Sequence, residues 1–271
     1  MTDLAKPDTN RYRALVEHIF FDPAFGAFAP GMTEIQFERE DLERAAEALG
    51  IKLPKNLGDV LYSIRYRMPL PDSVLATQSE GQEWIVEGTG RARYRFVLVP
   101  INRIVPNREL ITIKIPDATP EIIVGYTLND EQALLAKVRY NRLIDTFLGI
   151  TAFSLQNHLR TTVKGVGQIE IDEVYVGVDR HGVQYVIPVQ AKGGSDQLSV
   201  VQAKQDITCC AEKFPSLSCR SISAQFMDDE RIAMFELAVQ DNQVRIVQER
   251  HYKLVTGLVP AEDLELYRRS V

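Results

Sequence analysis

Two short apolar runs joined by a turn constrain the fold of this chain more than any other stretch. Residues 167–179 and 185–192 are rich in valine, isoleucine and tyrosine, which favour strands. Between them, the sequence Arg180-His181-Gly182 has the composition of a turn. The two runs are therefore predicted to form a β-hairpin.

Three of the polar residues in this hairpin are candidates for one site. Asp172 lies among valines and isoleucines on the first strand, and Gln190 and Lys192 are two positions apart on the second. Because strand side chains alternate between faces, Gln190 and Lys192 share a face. These three polar groups are predicted to meet at the end of the hairpin.

Oxygen atoms and an amine in this arrangement suit hydrolysis assisted by a hard cation. Magnesium prefers oxygen ligands and is usually bound by one or two carboxylates together with substrate phosphate. The predicted metal ligands are the Asp172 carboxylate, the Gln190 amide oxygen and the backbone carbonyl of Ala191. Lys192 is predicted to orient or deprotonate the attacking water and to offset charge in the transition state.

This set resembles the active site of the PD-(D/E)XK nuclease superfamily. Asp172 matches the aspartate, and Gln190-Ala191-Lys192 matches the E-x-K element, with glutamine in place of the usual acid. The resemblance implies a restriction-endonuclease-like core, in which a central mixed sheet is flanked by helices in the order helix, three strands, helix, strand. It also implies an additional catalytic acid on the first helix, for which Glu131 is the candidate. A favourable charge at a helix N-terminus is the alternative role of Glu131.

The second half of the chain has elements in that order. The predicted elements are a helix over 129–149, a strand over 152–163, the hairpin, a helix over 195–214, and strands over 221–226, 232–239 and 244–247. In the first helix, Asn129 is the predicted N-cap, Tyr140 faces the core and Gly149 ends the helix. In the second, Ala203 and Ile207 face the core, and the opposite side carries two candidate DNA contacts, Gln202 and Gln205.

Two further acids lie beside Asp172. Glu170 shares the face of Asp172 if the strand is regular, and Glu173 lies on the other face. A β-bulge that shifts the register would bring either into the site. The sequence leaves open whether Glu170, Glu173 or Glu131 supplies an extra metal ligand.

The composition is that of a soluble globular protein. The 271 residues are 45% hydrophobic and 25% charged, enough for one large or two ordinary domains. No apolar run approaches the roughly 20 residues that cross a bilayer, so we expect a cytoplasmic location and no membrane partner. Cys209, Cys210 and Cys219 match neither a disulfide framework nor a zinc spacing.

Charge is distributed unevenly along the chain. The net charge is −6, yet residues 52–108 carry nine basic against five acidic residues, which gives a local net charge of +4. DNA binding depends on such basic groups, because they neutralise phosphates. A solvated surface with scattered arginines is the alternative interpretation.

The basic segment coincides with elements that resemble a winged helix-turn-helix. The predicted elements are helices over 11–21, 40–49 and 56–67, a strand over 33–37, and a two-stranded wing over 83–87 and 93–99. The third helix is the expected groove reader. The predicted DNA contacts are Lys55, Asn56, Ser63, Arg65 and Arg67 on or beside that helix, and Arg91 at the wing tip. Winged helices also serve as protein-binding modules.

Prolines between positions 100 and 120 indicate a domain boundary. We predict an α+β protein with a winged-helix-like DNA-binding domain over residues 1–115 and a nuclease-like domain over 116–271. Residues 110–115 and 122–126 are predicted strands, and a short helix is predicted to end near Arg269.

The predicted function is that of a DNA endonuclease of restriction type, which uses Mg²⁺ to hydrolyse phosphodiester bonds of double-stranded DNA. Such enzymes commonly act as dimers, and a homodimer is one expectation. One alternative is a repair or junction nuclease that reads DNA shape. Another is a non-catalytic DNA-binding protein with a decayed site. Recognition sequence, methylation dependence, cut position and oligomeric state stay open.

Overall fold

The computed structural model describes residues 9–66, 68–101, 104–126, 131–193, 200–227, 229–240 and 243–269. In these ranges the protein has an α+β fold. The chain divides into two compact units, Met1–Ile101 with Thr162–Gly167, and Asn102–Thr161 with Gln168–Val271. This division falls earlier than the boundary predicted at residue 115.

The first unit contains helices and one antiparallel sheet. Its elements are α1 (Thr9–Phe21), β1 (Glu34–Glu38), α2 (Arg39–Leu49), α3 (Leu57–Tyr66), α4 (Asp72–Leu75), β2 (Gln82–Gly90) and β3 (Arg93–Pro100). The strands lie in the order β1-β3-β2. The predicted order of helix, strand, helix, helix and hairpin is present, with α4 as an addition. The turn between β2 and β3 is shorter than predicted, because β2 extends to Gly90.

An aromatic cluster forms the centre of the first unit's core. Phe20 of α1 packs edge-on against Trp84 of β2 and Phe96 of β3, with ring centroids 5.1 and 5.2 Å apart. Helix α2 buries Leu42, Ala45 and Ala46, whereas its last residue, Leu49, is exposed. Gly50, in the left-handed conformation, ends that helix.

The remaining elements form a larger layered structure. They are β4 (Thr112–Pro116), α5 (Glu121–Tyr126), α6 (Glu131–Tyr140), α7 (Leu143–Leu148), β5 (Thr151–Val163), β6 (Gly167–Val178), β7 (Gln184–Lys192), α8 (Val200–Lys213), β8 (Ser218–Cys219), β9 (Ser221–Phe226), β10 (Arg231–Gln240), β11 (Gln243–Val255) and α9 (Ala261–Arg269). The sheet order is β4-β11-β10-β9-β7-β6-β5, and β8 pairs with β7. β7 and β9 are parallel, and so are β4 and β11, whereas β6 and β7 are antiparallel.

Helices cover both faces of this mixed sheet. Alternate residues of β10 show the two sides: Ile232 and Met234 join the core cluster that contains α6 and α7, and Ala233 and Phe235 join the cluster that contains Ala203 of α8. Because strand side chains alternate, one strand contributes to both layers. The β6–β7 hairpin therefore lies between two helical layers.

The helix predicted over residues 129–149 is two helices in the described residues. Arg142 adopts a left-handed conformation, with φ of 49°, between α6 and α7. The preceding Asn141 is buried, and its side-chain amide donates to the carbonyl of Lys137 (2.9 Å). Tyr140, the last residue of α6, is 39% exposed instead of facing the core.

The strand predicted over residues 122–126 is wrong, because that segment is the helix α5. The carbonyl of Pro120 accepts the backbone N–H groups of Ile123 (2.8 Å) and Val124 (3.1 Å), which starts a helical turn. Asn129, the predicted N-cap, lies outside the described residues.

Candidate active site

The β6–β7 hairpin changes its pairing at Asp172. Backbone pairing of the two strands runs from Glu173 opposite Val189 to Val178 opposite Gln184. One residue before that ladder, the Asp172 carboxylate accepts the backbone N–H of Ala191 at 2.8 Å. In a strand, the N–H and C=O of one residue point to the same side. The Ala191 carbonyl therefore lies on the side of Asp172, as its predicted role as a ligand requires.

Lys192 lies at the end of β7, where it meets the start of a helix. Its Nζ donates to Glu131 Oε1 at 3.1 Å. Glu131 is in the first turn of α6, so it also has the favourable helix N-terminal position that was the alternative for its role. The structure thus brings together Lys192 and Glu131, which are far apart in sequence.

Among the described residues, charged groups of both signs act on Asp172. Burial raises the pKa of Asp172 above its usual value, although the Ala191 N–H and the Lys192 ammonium act in the opposite direction. The nearby carboxylates of Glu131 and Glu170 raise that pKa further. A site that holds a carboxylate against this negative field favours a cation.

The Gln190 side chain is only 3% exposed and has a defined orientation. Its Nε2 donates to Asp206 Oδ2 at 2.9 Å and to the backbone carbonyl of Glu170 at 3.1 Å. Both amide hydrogens are therefore used. Among the described residues, the buried Oε1 has no hydrogen-bond partner. This is the amide oxygen predicted to bind metal.

The oxygen atoms at this end of the hairpin fit a magnesium ion. Within the described ranges, no group of three or more His, Cys, Asp or Glu side chains is placed to hold a metal. Magnesium does not need such a group, since it is bound by one or two carboxylates with further oxygens and waters. Asp172, the orphaned Gln190 Oε1 and the Ala191 carbonyl supply that donor set.

Asp206 is a residue of this site that sequence reasoning missed. It lies on α8, its side chain is 1% exposed, and it contacts Gln190. Burial raises its pKa well above the usual value, the hydrogen bond from Gln190 opposes this, and Asp172 adds to the increase. Its spacing could have indicated burial, because Asp206 falls three residues after Ala203 and four before Cys210, on the inward stripe of α8.

The glutamines of α8 differ from their predicted positions. Gln205 is buried and Gln202 half-buried, whereas Ile207, predicted to face the core, is only partly buried. The helix packs against β7, β9 and β10, so its buried surface is wider than one apolar stripe. We therefore leave Gln205 out of any DNA-contacting surface.

Glu170 and Glu173 have different surroundings. Glu170 is half-buried and pairs with Arg160 at 3.2 Å. Glu173 is 0% exposed on the opposite face, where its Oε1 accepts from Arg139 (2.9 Å) and Ser154 (2.5 Å). Glu170 remains a neighbour of the site, and Glu173 belongs to the packing on the other face.

In the first unit, three predicted DNA contacts are exposed: Lys55, Asn56 and Arg91. Asn56 also begins α3, because its Oδ1 accepts the backbone N–H of Gly58 at 3.0 Å. Arg91 occupies the turn between β2 and β3. These residues could face a ligand without rearrangement of the core.

The other predicted contacts on α3 differ in accessibility. Ser63 is buried, Arg65 is half-buried, and Arg67 lies outside the described residues. Arg95, one of the basic residues of this segment, is bound by Glu34 and Glu87, each at 2.8 Å. Part of the local positive charge is thus neutralised within the unit, and we leave Ser63 out of the candidate DNA surface.

Comparison with known proteins gives no family assignment. No family model, no curated protein and no solved structure matches the chain. In the part of the chain that the structure describes, no helix has the length and apolar character to cross a membrane. The function has to be argued from the site.

Proposed function

We propose that the protein is a magnesium-dependent DNA endonuclease of restriction type. The observation that carries this proposal is the convergence of Asp172, Lys192 and Glu131 at one end of the β6–β7 hairpin. The buried oxygen of Gln190, which has no hydrogen-bond partner within the described residues, belongs to the same group of contacts. A carboxylate, a neutral oxygen and an amine are the groups that metal-assisted phosphodiester hydrolysis needs.

The order of elements supports the same proposal. From α6 to β9 the order is helix, three strands, helix, strand, with two additional short elements, α7 before the three strands and β8 before β9. β9 lies parallel to β7, and α8 forms the connection between them. This agrees with the core that the resemblance to PD-(D/E)XK nucleases implies. The α1-to-β3 order of the first unit agrees with a winged helix, which supports DNA binding there.

The Asp172 carboxylate, Gln190 Oε1 and the Ala191 carbonyl would hold the cation. When bound, Mg²⁺ offsets the charge of a substrate phosphate and makes a bound water more acidic. The Ala191 N–H keeps the Asp172 carboxylate oriented, since it bonds Oδ2 and leaves Oδ1 for a ligand. Partial burial excludes bulk water and strengthens these interactions.

Lys192 acts through its ammonium group. Glu131 holds it at 3.1 Å, which uses one of its three N–H donors. The remaining donors are available to orient the attacking water and to stabilise negative charge on the phosphate oxygens. Glu131 is then the group that fixes the position of the Lys192 ammonium.

Double-stranded DNA is the proposed substrate, and a homodimer is the proposed assembly because a duplex has two strands to cut. The test is incubation of the full chain with plasmid, phage and branched DNA, with Mg²⁺ or with a chelator. Discrete fragments that require Mg²⁺ support the restriction-type enzyme. Cleavage confined to branched DNA identifies a junction nuclease, and shifted but intact DNA identifies a non-catalytic binder.

A further inference from the structure

We propose that Asp206 is a positioning residue, which holds the Gln190 amide so that Oε1 rather than Nε2 is presented to the cation. This inference rests on the proposed function, because it assigns a role within the same metal site. It adds a residue on α8 to a site otherwise built from β6, β7 and α6.

The hydrogen bonds of Gln190 carry the argument. The oxygen and nitrogen of a side-chain amide exchange places when the group turns by 180°, so their partners decide which one faces a given side. Nε2 lies 2.9 Å from Asp206 Oδ2 and 3.1 Å from the Glu170 carbonyl oxygen. A turned amide would place Oε1 against these two acceptors and break both hydrogen bonds. Asp206 and the Glu170 backbone therefore lock one orientation.

The burial of Asp206 is hard to explain by packing. Its neighbours on the inward stripe of α8, Ala203 and Cys210, are apolar and almost fully buried, as Asp206 is. A carboxyl group at such a position is unfavourable compared with an apolar side chain of similar size. The hydrogen bond from Gln190 offsets part of this unfavourable free energy of burial.

The amide oxygen of Gln190 indicates a bound ligand. Gln190 is nine-tenths buried or more, both of its donors are satisfied, and within the described residues its Oε1 has no partner. Buried polar atoms are nearly always paired, and exceptions are characteristic of sites that bind a water or an ion. An amide held by two acceptors on its nitrogen side presents the oxygen that a hard cation requires.

The contact between Gln190 and Asp206 also changes the effect expected of Gln190→Glu on Mg²⁺ affinity. From sequence alone, a glutamate at 190 is expected to tighten magnesium binding by adding a charge. Beside Asp206, however, it would set two carboxyl groups in contact, next to a backbone carbonyl. The added charge should improve binding only where Asp206→Asn supplies an N–H donor to the new carboxylate. Positions 190 and 206 are therefore expected to be coupled.

The experiment measures Mg²⁺ affinity calorimetrically on the full chain without DNA, together with the Mg²⁺ concentration for half-maximal cleavage. The variants are Asp206→Asn, Asp206→Leu, Gln190→Glu and the double variant Gln190→Glu/Asp206→Asn. Asp206→Leu removes the acceptor and should weaken Mg²⁺ binding by about 10-fold or more. Asp206→Asn keeps an acceptor and should have a smaller effect. Gln190→Glu should fail to tighten binding, and the double variant should bind more tightly than Gln190→Glu.

Circular dichroism and thermal melting establish that each variant folds. Wild-type affinity in Asp206→Leu, or additive effects at positions 190 and 206, would overturn the role of Asp206 while leaving the nuclease proposal intact. If Asp206→Leu does not fold, the comparison between Gln190→Glu and the double variant decides alone. A wild-type protein that neither binds Mg²⁺ nor cleaves DNA overturns the proposed function, and this inference with it.

Discussion

The two faces of β6 carry neighbouring acids with opposite surroundings. Asp172 is half-buried, accepts one backbone N–H from Ala191 and keeps a carboxylate oxygen for a ligand. Glu173 is fully buried, and its carboxylate is held by Arg139 and Ser154. One step along the strand therefore separates a candidate for chemistry from an acid that stabilises the fold. The available partners on each face, more than residue type, decide which role an acid has.

The largest effect is expected at Asp172. Asp172→Asn keeps the shape of the side chain and removes its charge, so cleavage with Mg²⁺ should fall by about 100-fold or more. The free energy of unfolding and the DNA affinity should stay close to wild type. Plasmid cleavage, urea unfolding and a gel-shift assay measure the three quantities. Cleavage at the wild-type rate would contradict the catalytic role of Asp172, and the two faces of β6 would then not differ in function.

Lys192 tests the same face from the neighbouring strand. Lys192→Met keeps most of the apolar stem and removes the ammonium, so cleavage should fall by about 100-fold. Glu131→Gln is the matched variant, since it removes only the partner of Lys192 at 3.1 Å. A smaller loss in Glu131→Gln would show that the glutamate acts through the lysine. Equal, wild-type rates in both variants would contradict the assignment.

The opposite face should respond in stability. Glu173→Gln leaves Arg139 without its ion pair and should lower the free energy of unfolding by about 2 kcal/mol, because Glu173 is buried whereas the Arg139 side chain is 36% exposed and partly solvated. Urea unfolding followed by circular dichroism measures this free energy of unfolding. Cleavage per folded molecule, at a temperature where the variant stays folded, should be retained. A cleavage defect like that of Asp172→Asn would place both acids in the chemistry.

A smaller loss is expected from the second partner of Glu173. Ser154→Ala removes the hydroxyl that donates to Glu173 at 2.5 Å and should lower the free energy of unfolding by about 1 kcal/mol. Thr151→Ala, on the same strand and exposed, is the control for a hydroxyl lost from β5. If the two variants unfold alike, Ser154 adds nothing to the environment of Glu173.

The smallest expected effect lies in the first unit, where DNA binding should change without the chemistry. Arg91→Ala removes an exposed charge at the hairpin turn, and if it contacts phosphate the salt dependence of DNA binding should fall by about one unit of slope. Arg93→Ala is the matched control, because Arg93 pairs with Glu38 at 3.4 Å. The DNA affinity of both variants, measured over a range of salt concentrations, tests this prediction. An unchanged slope in Arg91→Ala would move the DNA surface elsewhere.

The part of the site that follows from local periodicity could be predicted from the sequence. The two hairpin strands, and the placement of Asp172 and Glu173 on opposite faces, depend only on the period of two and on β-branched composition. The meeting of Glu131 and Lys192 followed from the resemblance, since no local pattern links a helix start to a distant strand end.

Other features depend on tertiary contacts that a sequence pattern does not contain. Asn141 breaks the predicted long helix because its buried amide finds partners on the loop before α5, including Thr119 Oγ1 at 2.9 Å. The spacing of Asp206 places it on the inward stripe of α8, but its contact with Gln190 joins a helix to a distant strand and follows from no local pattern. Ser63 and Gln205 are polar but buried, so polarity alone overestimated the accessible surface.

The pairing of β4 with β11 has a consequence for the order in which the chain folds. This edge of the large sheet joins segments far apart in sequence, and the backbone N–H of Lys114 reaches the hydroxyl of Tyr267, 153 positions later. Long-range pairing slows folding, because a large loop must close before the contact is gained. The elements from α6 to β9 are contiguous, so the hairpin and its helices can assemble early. We therefore expect the β4 edge to form late, after β11 and α9 have been synthesised.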